Sequence, residues 1–486
     1  PEGAGDDDPI ATLRAEHPRL LATSDDWVKL RRKIDDDALY ARVHATIVGE
    51  ARALLSEPPL ERKLTGRRLL GVSREMVRRV MTLGYAWQTT RERAFGERAE
   101  QEMLAAAGFS DWNPSHFLDV AEAATAVALG YDWCYDVLPE SSRETIRTAL
   151  VEKGIRAGLD PEEPHNNWHR ARNNWSQVCF GGLTLAGLVV ADHEPELARE
   201  MLRAARGGIG FGLEPYAPDG VYPEGPSYWV YGTTYQAIMN AGLETALGTD
   251  WGLSKSEGFL ASAGAFLQTT GPTGAFYNHG DGRERGRHEP VIYWFARKIS
   301  DPGLAFQNVR RLNADELSPK FDERSWFFPL SAIWWPEEPL REVAPKLPLR
   351  WHGRGENPIA AFRESWTDRN SLYLALKGGA AELNHAHMDA GSFVLERDGV
   401  RWVIDLGMQE YHSLESKGID LWNRAQDSQR WQVYRLNNYS HSTLTIDGRL
   451  HRVDGHATVT GFGADAETPW ARVDLSPAFR GQAERV

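Results

Sequence analysis

Cysteine is nearly missing from this chain: Cys134 and Cys179 are the only two in 486 residues. Both fall in apolar, helix-periodic stretches, so buried free thiols are expected rather than a disulfide, and the redox compartment is not readable from them. Long apolar runs are missing as well. None approaches the ~20 residues that span a bilayer, so no membrane association is expected. Positive charge is in deficit, with 55 Lys and Arg against 68 Asp and Glu and a formal net charge of −13. A nucleic-acid or anionic-membrane partner wants a basic footprint, so neither is expected. An acidic ligand would require Arg, His and Asn to be concentrated locally. The opening residues, Pro1 to Asp8, lack the basic and apolar regions of a signal peptide, as would a mature chain whose leader had been removed.

What is present is ordinary globular composition, 42% hydrophobic and 25% charged, in a chain long enough for two domains. Residues 1–330 read as successive helices. From Phe117 to Leu138, apolar residues at Phe117, Val120, Ala124, Val127, Tyr131, Cys134 and Leu138 define one buried helical face. A further helix runs to about Leu159, and similar segments recur near 26–57, 74–107, 174–206, 228–247, 256–269 and 288–313. Short loops imply antiparallel helix hairpins, and the lack of a fixed repeat favours an incomplete α/α toroid over a regular solenoid. Prolines between Pro329 and Pro348 predict a semi-rigid linker over 331–348. Beyond it, over 349–486, alternation predicts antiparallel strands at Ser371–Lys377, Ser392–Arg397, Val400–Asp405 and Ser442–Asp447, with a hairpin turn at Asp398-Gly399. This half reads as an antiparallel β-sandwich with no obvious closing strand before Val486, which leaves continuation past it open.

Four clusters carry candidate chemistry. In Asn384–Ser392, His385 and His387 stand two residues apart. The hairpin returns Asp405 near His387, and His441 opens the next predicted strand. His387, Asp405 and His441 would make a two-His, one-carboxylate Zn2+ site, leaving His385 for acid/base or substrate-carboxylate duty. The second cluster runs from His165 to Trp175. One Asn there suffices to cap a helix, but four Asn, two His, two Arg and two Trp exceed that need. His169, Arg172, Asn173, Asn174 and Trp175 would suit a sugar acid, with Trp stacking on apolar sugar faces and Asn and Arg bonding hydroxyls and carboxylate. The third, Asp219 to Tyr231, is a Pro/Gly-rich loop entering a helix. Tyr235 reads as core, whereas Tyr228 and Tyr231 lie near the loop as candidate catalytic hydroxyls, beside Trp229. The fourth, Asn278 to Arg285, offers His279 and Arg283 to a cleft, and Arg435 is a further candidate for substrate binding.

These motifs, namely Asn173-Asn174-Trp175, the Tyr228 loop, His385 to Phe393 and Asn438 to Thr443, resemble the heparinase II/III-like superfamily of polysaccharide lyases over nearly the whole chain. The resemblance implies an incomplete α/α toroid followed by antiparallel β-sheets with the cleft between them. It also implies a mainly structural zinc at His387, Asp405 and His441. Relatives act on heparin or heparan sulfate, alginate and glucuronan, so an acidic, uronate-containing polysaccharide is the expected partner, alginate or glucuronan foremost. The expected location is periplasmic or secreted, with a cytoplasmic one open. Elimination requires neutralising a uronate carboxylate so that its C5 proton can leave, a task for Asn174 and His385. Tyr228, with Tyr231 second, would handle a proton. Several relatives carry His at or beside the Asn174 position where this chain has Trp175, so acid and base stay open between Tyr228 and His385.

Three other readings compete. A toroidal glycoside hydrolase would need two opposed carboxylates, for which Glu224 and Asp219 are the nearest candidates, though both lie in one loop. A metallo-β-lactamase-like hydrolase is disfavoured because Ala390 replaces that motif's final His. A non-catalytic glycan-binding protein would not need Tyr228, Asn174 and His385 together. Composition says nothing of oligomeric state.

Overall fold

Helical periodicity governs the first two-thirds of the chain because its apolar residues recur on single faces. In the computed structural model, which describes residues 8–314 and 325–486, these segments pack as antiparallel helix pairs. The Leu118–Trp133 helix is buried along its whole length between Leu70–Thr90 and Asn174–Val190. Small residues allow this close approach: a Cβ on Gly182 would stand 2.2 Å from the Ala121 carbonyl oxygen. Packing then continues from Asn174–Val190 onto Pro195–Leu213 and Pro226–Leu247, giving the incomplete toroid the sequence implied. Cys134 and Cys179 are buried free thiols.

Several predicted helices prove to be two. The 74–107 segment breaks where Arg91 turns left-handed at φ 59°. The 26–57 segment breaks at Asp37, whose carboxylate caps Ala38–Leu54. The 174–206 segment breaks before Pro195, which opens the next helix at a position where its missing N–H costs nothing. Prolines over 331–348 do not produce a free spacer throughout. Leu330–Ile333 form a short helix, and Trp334 and Trp335 are buried in the helical core.

Beyond residue 349, five strands form one antiparallel sheet in the order β1 Arg350–Gly353, β2 Ile359–Arg363, β3 Tyr373–Lys377, β4 Phe393–Arg397 and β5 Val400–Val403. The β4–β5 turn is Asp398-Gly399, both with positive φ (55° and 72°), as the predicted hairpin requires. A second pair, β6 Thr458–Gly463 and β7 Trp470–Asp474, lies against β1 and β2, where Phe462 meets Phe362 at a ring separation of 5.3 Å. The predicted strand Ser442–Asp447 is not one. The Thr443 N–H turns back on the His441 carbonyl at 2.8 Å, and the Leu444 carbonyl meets His451 Nε2 at 2.9 Å, so local bonds claim groups a ladder would use.

The sheet docks on the helices through polar anchors. Buried Arg363 donates to the carbonyls of Leu267, Gln268 and Thr270, and the Tyr277 hydroxyl donates to the Ser392 carbonyl at 2.6 Å. These bonds fix the cleft between the two halves. No described helix is long and apolar enough to cross a membrane.

Candidate active site

The cleft has a volume of about 500 Å³. Asn174, Trp175, Tyr228 and Arg283 line it from the helical half, and His385, Tyr411 and Trp422 from the other. The two adjacent asparagines divide the labour. Asn173 is the helix cap, its side-chain oxygen accepting the Trp175 N–H at 3.0 Å. Asn174 is buried, with its amide nitrogen donating to Glu224 Oε2 at 2.6 Å. The other oxygen of Glu224 accepts from Asn384 of the β half at 2.9 Å. One buried carboxylate thus aims an amide from each wall, and burial raises its pKa.

Pro226 begins the helix that follows the Glu224 loop, placing Tyr228 in its first turn. The Tyr228 ring stacks on His385 with centroids 3.7 Å apart, and its hydroxyl lies 2.6 Å from that of Tyr411. Tyr411 in turn donates to Asp281 Oδ2 at 2.9 Å and lies 3.1 Å from His385 Nδ1. Asp281 also bonds His385 Nδ1 at 3.0 Å and His387 Nε2 at 2.9 Å. The two histidines therefore converge on one carboxylate rather than projecting alike from a strand. His385 reaches it from a left-handed conformation (φ 58°) that few non-glycine residues adopt. Gly280 permits the approach, since a Cβ there would stand 2.6 Å from the His385 carbonyl oxygen. Burial opposes the Asp281 charge, but the imidazoles outweigh it and hold the carboxyl well below its usual range. Burial raises the Tyr228 and Tyr411 hydroxyls, reinforced by the Asp281 charge.

Tyr231 lies deeper. Its hydroxyl donates to Glu122 at 2.5 Å, and the Arg74 guanidinium sits 5.1 Å from its ring. Burial lifts Glu122 to about 6. Tyr235 is core, as expected.

The expected metal donors His387, Asp405 and His441 are all buried. His441 Nδ1 lies 2.9 Å from Asp405 Oδ2, and the His387 and His441 rings are 5.3 Å apart. His387 Nδ1 and His441 Nε2 have no described hydrogen-bond partner, which suits imidazoles offering lone pairs to a cation. Asp405 is instead engaged, by His441 and by the Gly407 N–H at 2.7 Å. Among the described residues no three His, Cys, Asp or Glu side chains are disposed as a ready metal group.

Other expected substrate contacts lie elsewhere. His169 is buried, bonding the Gly158 carbonyl at 2.8 Å. Trp229 is core, donating to Ser262 and stacked on Phe266. Arg172 faces solvent, paired with Glu356 and Glu214. His279 is buried beside Gly225, outside the cleft lining, and burial lowers it to about 4. Arg435 braces the Leu406 and Met408 carbonyls. Sequence patterns favoured these residues because polar and aromatic groups near a loop look alike whether they face in or out. Conversely, Asp281 looks like any solvated acid in its loop, and Tyr411, Trp422, Arg68 and Arg74 carry no local signal. Glu224 and Asp219 are not an opposed pair: the first holds amides, and the second is bound to Arg354 at 2.8 Å.

Residues 359–470 match the family model described as heparinase II/III-like, C-terminal. No curated protein sequence matches the chain. Among solved structures, heparinase III is similar with a TM-score of 0.54 at 13% identity, over 82% of this chain and 58% of that one. A mutant heparan sulfate lyase HepC from Pedobacter heparinus is similar with a TM-score of 0.52 at 13% identity, over 96% and 74%. The chain thus spans 58% of the length of the heparinase III structure it matches. At these identities the likeness is one of fold. Residues 359–470 thus match the heparinase II/III-like C-terminal model, and the helical region before them shares its fold with heparinase III.

Proposed function

We propose that this protein is a polysaccharide lyase that cleaves a uronate-containing acidic glycan by β-elimination, with alginate or glucuronan the preferred type. The observation that carries the reading is the contact of Tyr228 with His385 inside a cleft that also holds the buried Asn174 amide. Elimination needs a group that relieves the uronate carboxylate of its charge, because the carbanion at C5 is enolate-like. Asn174, aimed by Glu224, and the cleft cation Arg283 would supply it. It needs a base. With its Nδ1–H given to Asp281, His385 keeps Nε2 as the ring's acceptor, free to take the C5 proton. It needs an acid. Tyr228 would give its proton to the glycosidic oxygen as the C4–O bond breaks and the C4–C5 double bond forms. After product leaves, the imidazolium would give the gained Nε2 proton to water and Tyr228 would regain one from water, restoring both groups.

The same reading includes a zinc ion held by His387, Asp405 and His441, supported by the two imidazole nitrogens with no partner among the described residues. When bound it would brace the β half, since binding energy is coupled to folding. A uronate polymer also fits a periplasmic or secreted location. The test is a panel of alginate, glucuronan, heparan, hyaluronan and pectate digested in oxygen-18 water. Elimination yields products with new ultraviolet absorbance, one water lighter than hydrolysis fragments, without heavy oxygen at the cleaved bond. Saturated fragments carrying that oxygen would overturn the lyase assignment.

A further inference from the structure

We propose that one end of the cleft is closed by a salt bridge between its walls, so that the protein takes the terminus of an anionic glycan and cleaves from the chain end. This rests on the lyase reading and adds where along the polymer it acts. The closure is built from two segments far apart in sequence. On the helical side, residues 65–68 form a tight turn, with Thr65 and Arg68 exchanging backbone hydrogen bonds at 2.8 and 3.1 Å. On the other side stands the segment from Tyr411 to Trp422. Arg68 reaches across with both terminal nitrogens and donates to the two oxygens of Glu415 at 2.6 and 2.8 Å. Trp422 donates its indole N–H to the same carboxylate at 2.9 Å. Gly66 packs so near His412 that a Cβ there would stand 3.3 Å from the imidazole Nδ1.

A two-pronged guanidinium–carboxylate pair is directional and charge-assisted, stronger than a single exposed ion pair. Here both partners are largely shielded, with side chains 16% and 23% exposed. A polymer threading through the cleft on this side would have to break it. The bridge also lies close to the proposed chemistry. The Arg68 guanidinium is 6.0 Å from the Tyr411 ring, and Tyr411 touches Tyr228 directly. The Trp422 ring is 4.9 Å from Tyr411 and 5.8 Å from His385. Little more than one tyrosine ring therefore separates the barrier from the reacting hydroxyl, which leaves a short blind subsite. Arg67, exposed beside the bridge and lining the cleft, makes no described ion pair and is placed to meet the carboxylate of a terminal sugar. The rest of the polymer would lie along the remaining lining of the cleft, which includes Arg283 and Trp326.

The experiment follows the digestion of polyuronates by absorbance and size-exclusion chromatography together, with the full chain. Chain-end action releases small unsaturated products from the first time points while the remaining polymer keeps nearly its starting size. An early collapse of polymer size with a ladder of intermediate oligomers overturns the proposal while leaving the lyase reading intact. Absorbance that fails to rise on any polymer, or saturated products, removes the lyase reading itself. Glu415→Gln and, separately, Arg68→Gln should shift early products toward longer oligomers by opening the blind end. Folding of each is checked by circular dichroism. If neither folds, the parent's size profile decides alone. Folded variants with unchanged product lengths would show that the bridge does not set the point of cleavage.

Discussion

Replacing Tyr228 with Phe removes one hydroxyl and leaves the ring that stacks on His385 at 3.7 Å. The stability cost follows from what the hydroxyl touches. It meets Tyr411 at 2.6 Å, and Tyr411 retains Asp281 as an acceptor at 2.9 Å, so no buried donor is orphaned. Loss of one such bond costs about 0.5–1.5 kcal/mol, leaving the fold intact. The rate cost is set by chemistry instead. Removing a positioned proton donor lowers turnover about a hundredfold or more, roughly 2.7 kcal/mol of barrier, and acts on kcat rather than KM. Tyr231→Phe should show the reverse balance. Its hydroxyl is bonded to Glu122 at 2.5 Å, and the second Glu122 oxygen has no described partner. Arg74 Nε still donates to the same Glu122 oxygen at 3.3 Å, and loss of the tyrosine's bond to this charged group costs about 1.5–3 kcal/mol in stability, with a milder effect on rate. The pair is assayed by initial rates of unsaturated-product formation and by denaturant unfolding. A Tyr228→Phe enzyme that cleaves at the parent rate beside a dead but folded Tyr231→Phe would move the chemistry one helical turn. Two active variants would make that face packing alone.

Two other outcomes are expected. Gently purified protein should carry about one equivalent of zinc, and His441→Ala should lose it together with much of the β half's thermal stability, because metal and folding are coupled. Elemental analysis finding no transition metal in unstripped protein would end that proposal. The second concerns pH. Arg68 holds Glu415 down to about 2, below the unfolded carboxylate value of about 4.3. A depressed folded pKa means the bridge stabilises fully above about pH 4.3 and loses its contribution as pH falls toward 2. The unfolding midpoint of the parent should therefore exceed that of Glu415→Gln at neutral pH and converge with it in that acid window. A gap that persists unchanged at the acid end would show that the difference is not the ion pair.

Much of this architecture was written in local pattern. A helical period of 3.6 and a strand period of 2 are short-range, so the switch from toroid to sheet could be read along the chain, as could the Asp398-Gly399 turn. The clusters around Asn174, Tyr228 and His385 were legible for a similar reason, because each packs unusual chemistry into a few neighbouring residues. Their meeting was not. Asp281 joins His385, His387 and Tyr411 across more than a hundred residues, and Glu224 joins Asn174 to Asn384 across the two halves. No local period encodes such pairings, which arise only when Arg363 and Tyr277 dock the sheet on the helices. Burial direction was equally hidden. Trp229 and His169 share their surroundings in sequence with Tyr228 and Asn174, but the fold turns them away from the cleft that the latter two line. The bridge from Arg68 to Glu415 is the extreme case: two ordinary charged residues, 347 positions apart, acquire meaning only because the folded chain sets them face to face.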